Sequence, residues 1–72
     1  MTLDDWLRAA RLARRDEARG LTLVWLGGHG VHAVDDQGRE VSFWNIASHD
    51  AEATEAEVLA SMDAAIATGG YP

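Results

Sequence analysis

The chain contains no cysteine, no lysine and a single proline among its 72 residues. Without cysteine, neither disulfide bonds nor thiolate–metal sites can stabilise the domain. The longest strongly apolar run, residues 21–26, is too short to cross a bilayer, so we expect no membrane partner. The first residues are acidic, unlike the basic start of a signal peptide, and we expect a cytoplasmic location in the producing or host cell.

Length and composition favour one small folded domain over residues 1–72. Hydrophobic residues make up 47% of the chain, a fraction that argues against disorder. A chain of this size buries only about 60% of its extended surface, so the core is thin. Twelve acidic residues against six arginines give a net charge of −6. Because phosphate binding needs a positive field, this balance disfavours direct contact with nucleic acid.

Hydrophobic periodicity and turn residues predict two helices that flank three strands. We expect a helix over residues 3–18, because Thr2 can cap it and most of its apolar residues share one arc; Leu12 does not fit that arc. Thr54 and Glu57 have the spacing of a capping box and predict a second helix that ends at Gly69. Short turns separate the strands predicted over residues 21–26, 31–34 and 40–46. The predicted fold class is α+β, in the order α-β-β-β-α, with a three-stranded antiparallel meander and both helices packed on one face.

The predicted turn lengths sort the strand residues onto two faces of the sheet. We expect the first face to be the core, with Leu21, Leu23, Trp25, His32, Val34, Val41 and Phe43. The second face then carries Thr22, Val24, Leu26, Val31, Ala33, Ser42, Trp44 and Ile46. Under this assignment four residues should be buried at the centre of the core: Leu23, Phe43, Leu59 and Met62.

The second face is the predicted interaction surface. The third strand ends the meander, so it should lie at a sheet edge, with the side chains of Trp44 and Ile46 directed away from both helices. An exposed apolar patch on so small a protein indicates a contact with another chain. We therefore expect Val24, Leu26, Trp44 and Ile46 to be covered by a protein partner or by a second copy. The alternative is one helix on each face of the sheet, which leaves no such patch.

The residues that could carry chemistry form no convincing motif. His29, His32 and His49 are possible metal ligands, but two of them flank a turn rich in glycine and need not converge. Ser48, His49 and Asp50 are the residue types of a catalytic triad, yet adjacency in a loop does not aim them at one atom. We therefore expect no catalytic residue, no metal site and no cofactor, and we do not expect an enzyme.

Charge is divided unevenly along the chain. Residues 21–72 hold eight acidic residues and one arginine, Arg39, whereas residues 1–20 are nearly balanced. An acidic surface attracts a basic partner, and such an association weakens with salt. We expect Glu52, Glu55 and Asp63 to contribute to this contact.

Small size, acidity and the missing catalytic motifs favour a non-catalytic interaction protein. The specific expectation is an accessory protein or inhibitor of the kind that phages and mobile elements encode, anti-CRISPR-like in action. Such a protein would bind and block a protein or a nucleic-acid-handling complex, without itself contacting nucleic acid. The alternatives are a structural homo-oligomer, such as a homodimer, assembled through the second sheet face, and a histidine-dependent metal-binding protein.

Overall fold

The computed structural model describes residues 1–48 and 50–71, which form two helices and one antiparallel sheet. The strands follow one another across the sheet in chain order, so the fold is a four-stranded meander. The α+β class is confirmed, but the sheet has four strands and not three. In chain order the elements are α1 (Leu3–Ala9), β1 (Leu12–Asp16), β2 (Leu21–Trp25), β3 (Gly30–Val34), β4 (Glu40–Asn45) and α2 (Glu55–Thr68).

The additional strand comes from the segment predicted as the second half of the first helix. That prediction is wrong, because α1 ends at Ala9 and the next residue, Ala10, has extended backbone angles. The chain then pairs with β2, with Leu12 opposite Trp25, and the backbone N–H of Arg11 donates to the carbonyl oxygen of Trp25 at 2.8 Å. Pairing with β2 therefore prevails over the helix propensity of this Ala- and Arg-rich segment. Leu12, the residue outside the predicted helical arc, packs against the core beside α2.

One helix lies on each side of the sheet, so the prediction of two helices on one face is wrong. The alternative is correct in placing one helix on each face, but Val41 and Phe43 remain exposed, which that alternative did not expect. On one side Trp6 of α1 packs against Val24 and Val34. On the other side the larger cluster contains Leu23, Trp25, Val31, Ala33, Ala53, Val58, Met62 and Ala65.

The error lies in the register across the glycine-rich turn. Leu23 pairs with Ala33, so odd-numbered residues of β2 share a face with odd-numbered residues of β3. The prediction assumed a loop with an even number of residues, which placed the odd-numbered residues of β2 on the same face as His32 and Val34. Positive φ angles at Gly27 (97°) and Gly28 (91°) shape this turn, and such angles are readily adopted only by glycine. Across the turn between β3 and β4 the prediction is correct, because His32 pairs with Phe43 and Val31 with Trp44, as the predicted faces require.

The predicted core residues have different outcomes. Leu23 and Met62 are fully buried, as predicted, and Leu59 is half-buried. Phe43 was assigned to the same core, but 41% of its surface is exposed, because its face is the one beside the short helix. Trp44, which was expected to point away from both helices, packs against the cluster under α2.

The second helix begins and ends as predicted. The hydroxyl oxygen of Thr54 accepts the N–H of Glu57 at 3.2 Å, and the Glu57 carboxylate accepts the N–H of Thr54 at 2.9 Å. Gly69 closes the helix with a left-handed backbone (φ 69°). Both capping devices, and the burial of Val58, Met62 and Ala65, were readable from local sequence.

Candidate interaction surface

The position of α1 decides which part of the sheet stays open. The indole N–H of Trp6 donates to the carbonyl oxygen of Gly38 at 2.7 Å, which fixes the helix against the β3–β4 turn. Gly38 has a φ of 81°, and a Cβ atom there would lie 2.3 Å from the carbonyl oxygen of Met1. After the C-terminus of α1 the chain reaches the end of the sheet that is opposite to Gly38. There the backbone N–H of Arg11 donates to the carbonyl oxygen of Trp25. A seven-residue helix in this position leaves sheet surface open on both of its flanks.

The first open region, which we call the β4 patch, consists of Val41 and Phe43 with His29 and His32 beside them. Val41 is 54% and Phe43 41% exposed, so both present apolar surface to solvent. The His32 ring lies between Trp6 and Phe43, with centroid separations of 5.0 and 4.7 Å, and the His29 ring meets Phe43 edge-on at 6.1 Å. These contacts, and a hydrogen bond between His32 Nδ1 and Glu40, hold the Phe43 ring in one place.

The second open region, which we call the α1 groove, lies on the other flank of the helix. It encloses about 480 Å³ between α1 and β1. Leu7, which is 43% exposed, forms its upper wall. Arg15 lies in the groove and donates to Asp36 at 2.8 Å and to the hydroxyl oxygen of Thr22 at 3.1 Å. The groove is lined by Leu3, Leu7, Ala13, Arg14, Arg15, Thr22 and Asp36.

The arginines of this acidic protein are mostly neutralised within the chain. Among the described residues five of the six form ion pairs, and Arg8 is the one for which no ion pair is present. The net charge at the surface is therefore carried by carboxylates that lack such a partner, Glu55 among them. The pairs are Arg11–Glu52 (2.6 Å), Arg14–Asp63 (3.7 Å), Arg15–Asp36 (2.8 Å), Arg19–Asp16 (2.8 Å) and Arg39–Asp35 (3.1 Å).

A buried carboxylate joins the end of β1 to the segment after α2. Asp16 is 1% exposed and accepts hydrogen bonds from the Tyr71 hydroxyl (2.6 Å) and from Arg19 Nη1 (2.8 Å). These two donors hold the pKa of Asp16 below its usual range, the tyrosine contributing most. Burial, together with the hydrogen bond to Asp16, raises the pKa of Tyr71 to about 12. Arg19 also donates to the carbonyl oxygen of Ile66 in α2 at 3.1 Å, so these contacts join the end of β1 to α2 and to the segment that follows it, and we assign the pair a structural role.

The structure separates the four apolar residues predicted to form one surface. Val24 is fully buried under α1, and Leu26 is 36% exposed in the β2–β3 loop. Trp44 and Ile46 pack on the α2 side, and the Trp44 indole N–H donates to the Ser61 hydroxyl at 2.9 Å. The expectation that they form a single exposed face is therefore wrong.

The three predicted acidic residues lie on the α2 side of the molecule and are exposed. Glu52 and Asp63 are engaged with Arg11 and Arg14, whereas Glu55 lies in the first turn of α2 without an ion pair among the described residues. Sequence reasoning missed Val41, Phe43 and Leu7 as exposed residues. The parity argument placed Val41 and Phe43 inside, and a correct register at the glycine turn would have found them.

Of the three histidines considered as metal ligands, His49 lies outside the described residues. Within residues 1–48 and 50–71 no group of three or more histidine, aspartate or glutamate side chains could hold a metal ion. His29 and His32 both contact the Phe43 ring, and His32 is hydrogen-bonded to Glu40.

β4 lies at the edge of the sheet, as predicted. A register shift between Ala33 and Val34 marks a bulge opposite the beginning of this strand. No helix in the described part of the chain is long and apolar enough to cross a membrane. No family model, curated protein or solved structure matches this chain.

Proposed function

We propose that this protein is a small non-catalytic interaction protein that binds a basic protein partner through the β4 patch. The observation that carries the proposal is the exposure of Val41 and Phe43 on an edge strand, on the side of the sheet that α2 does not cover and α1 covers only in part. A contiguous exposed apolar patch on a soluble protein is a recognised mark of an interaction site.

The Phe43 ring is suited to anchor such a contact. Aromatic side chains are enriched in interface cores, where they bury a large area. The Phe43 ring also contacts two rings of its own chain, those of His32 at 4.7 Å and His29 at 6.1 Å, which restrict its motion before a partner binds. An ordered anchor loses little conformational entropy on binding, so more of its burial contributes to affinity.

The charge distribution supports a basic partner. Because five arginines are paired within the chain, the field around the protein is dominated by its acidic residues. Glu55 gives the cleanest test of this field, since it has no ion pair among the described residues and its substitution breaks none. Reversal of Glu52 or Asp63 would also free Arg11 or Arg14.

A narrower form of this proposal is an inhibitor that covers an arginine- or lysine-lined nucleic-acid channel, as phage and mobile-element inhibitors do. Its support is the small size and the net charge of −6. Once a partner has been identified, a competition binding experiment tests this inhibitory role. The natural chain should displace nucleic acid from the partner, whereas the Phe43→Ala variant should not. If nucleic acid stays bound, the inhibitory role is contradicted, but the proposed interaction with the partner is not.

Site-directed photocrosslinking in the producing cell tests the main proposal. A photoreactive phenylalanine analogue at position 43 should trap a defined protein, whereas the same analogue at Ala60, on the exposed side of α2, should not. The purified pair should then lose affinity with Phe43→Ala and bind more weakly as salt rises. Absence of a product at position 43, or the same product at both positions, would contradict the proposal.

A further inference from the structure

We propose that the α1 groove is a self-association site, in which α1 of a second copy packs antiparallel against α1 about a two-fold axis. This site lies on the opposite flank of α1 from the β4 patch and does not depend on the function proposed above. The occupant is identified by two features of α1, one apolar and one electrostatic.

The apolar feature is a pair of leucines on the open flank of the helix. Leu3 and Leu7 are one turn apart, so their side chains lie on the same side of α1. Both line the groove of about 480 Å³, together with Ala13 of β1. Leu7 has 43% of its surface exposed. Leucine side chains from a second copy of α1 would occupy part of this space.

The electrostatic feature is a pair of exposed charges beside these leucines. Asp4 and Arg8 are also one turn apart, on the flank next to Leu7, and neither forms an ion pair among the described residues. Arg8 thereby differs from the other five arginines, all of which have a carboxylate partner. Arginine is enriched in protein–protein interfaces relative to the rest of the surface.

The positions of Asp4 and Arg8 along α1 indicate that the partner is a second copy of this chain. In an antiparallel helix pair related by a two-fold axis, Asp4 of each chain faces Arg8 of the other. The interface therefore contains two Asp4–Arg8 ion pairs. A two-fold interface requires a surface that is complementary to itself, and the sequence Leu3-Asp4 followed by Leu7-Arg8 has this property.

The expected dimer is weak. A standard interface buries about 800 Å² on each partner, roughly a fifth of the 4136 Å² surface of this chain. A helix of seven residues is about 10 Å long and supplies only part of that area. We expect a dissociation constant on the order of 10 µM, and a dimer that weakens as salt rises.

Charge-swapped variants provide the test, with sedimentation equilibrium from about 1 to about 500 µM at low salt as the measurement. Asp4→Arg gives two facing positive pairs and Arg8→Asp two facing negative pairs, so each variant alone should dimerise at least about tenfold more weakly than the natural chain. A mixture of the two should form a heterodimer, and the double variant Asp4→Arg/Arg8→Asp should recover self-association. Circular dichroism confirms that each variant is folded.

Phe43→Ala serves as the matched control, because it alters the β4 patch and leaves the α1 groove intact. This variant should dimerise like the natural chain. The proposal is overturned if the natural chain is monomeric at the highest concentration, or if both single variants dimerise unchanged. It is also overturned if the mixture of folded variants stays monomeric, or if Phe43→Ala is the variant that abolishes the dimer.

Discussion

The two faces of the sheet differ in how much of their apolar surface the chain itself covers. On one face the 14-residue α2 extends about 21 Å and shields a core of eight buried residues. On the other face the seven-residue α1 extends about 10 Å, which is less than the width of four strands. The core on that face contains only three buried residues. Stability therefore resides on the α2 side. The thin α1 side is where surface remains for other molecules.

The largest expected effect is the loss of a side chain from the α2-side core. Met62→Ala should lower the free energy of unfolding by about 2–5 kcal/mol, because Met62 is fully buried and little can close over the cavity. Phe43→Ala, although it removes more atoms, should cost only about 1–2 kcal/mol, since 41% of Phe43 is already exposed. Urea unfolding of both variants checks this contrast. Equal losses would show that the two faces are equally important for stability.

An intermediate effect is expected from the two indole hydrogen bonds that hold the helices. Trp6→Phe leaves the buried carbonyl of Gly38 without its donor and should cost about 1–3 kcal/mol. Trp44→Phe should cost about 1 kcal/mol, because the Ser61 hydroxyl is half-buried and water can replace the indole. Thermal unfolding of both variants measures the difference. A larger loss for Trp44→Phe would mean that α1 contributes less than its buried contacts indicate.

The last and subtlest expected effect is a change in how stability depends on pH, and it comes from the Asp16–Tyr71 pair on the α2 side. The pKa of Asp16 is lowered in the folded state, so its contribution is complete above the ordinary aspartate pKa and is lost as pH falls through the lowered value. The pKa of Tyr71 is raised from 10.0 to about 12, so its contribution is complete below pH 10 and is lost as pH rises towards 12.

Tyr71→Phe isolates these two contributions. The pKa values of Asp5, Asp35 and Glu57 are also lowered, mainly by backbone hydrogen bonds, so the natural chain loses stability in acid for several reasons. The variant should show a shallower loss of melting temperature in acid and a much smaller loss between pH 10 and 12 than the natural chain. Identical pH profiles for both proteins would contradict the role assigned to the pair.

The sequence predicted those parts of the fold whose signals are local. The capping box at Thr54 and Glu57, the closing Gly69 and the edge position of the last strand were all readable from short segments. β1 was not, because Ala13, Arg14 and Arg15 are good helix formers and neither glycine nor proline separates them from α1. Leu12, which did not fit the helical arc, was the one local sign that the helix ends early.

The candidate site depended on a longer-range property, the register across Gly27 and Gly28. A shift of one residue there transfers every side chain of β2 to the other face, and local sequence does not determine the number of residues in so flexible a turn. The exposure of Val41 and Phe43 follows from that register. The short length of α1 then leaves them uncovered.

The placement of the three tryptophans has a further, spectroscopic consequence. Trp6 belongs to α1 and packs on the sheet, Trp25 of β2 lies in the larger core, and Trp44 of β4 packs on the α2 side. Their indole N–H groups donate to Gly38, Gly28 and Ser61 respectively. Each layer of the molecule thus contains its own indole proton, resolvable in a one-dimensional NMR spectrum. The rates at which these three protons exchange with deuterium report local opening layer by layer. Earlier exchange of the Trp6 proton would identify the α1 layer as a unit that detaches while the rest of the domain stays folded.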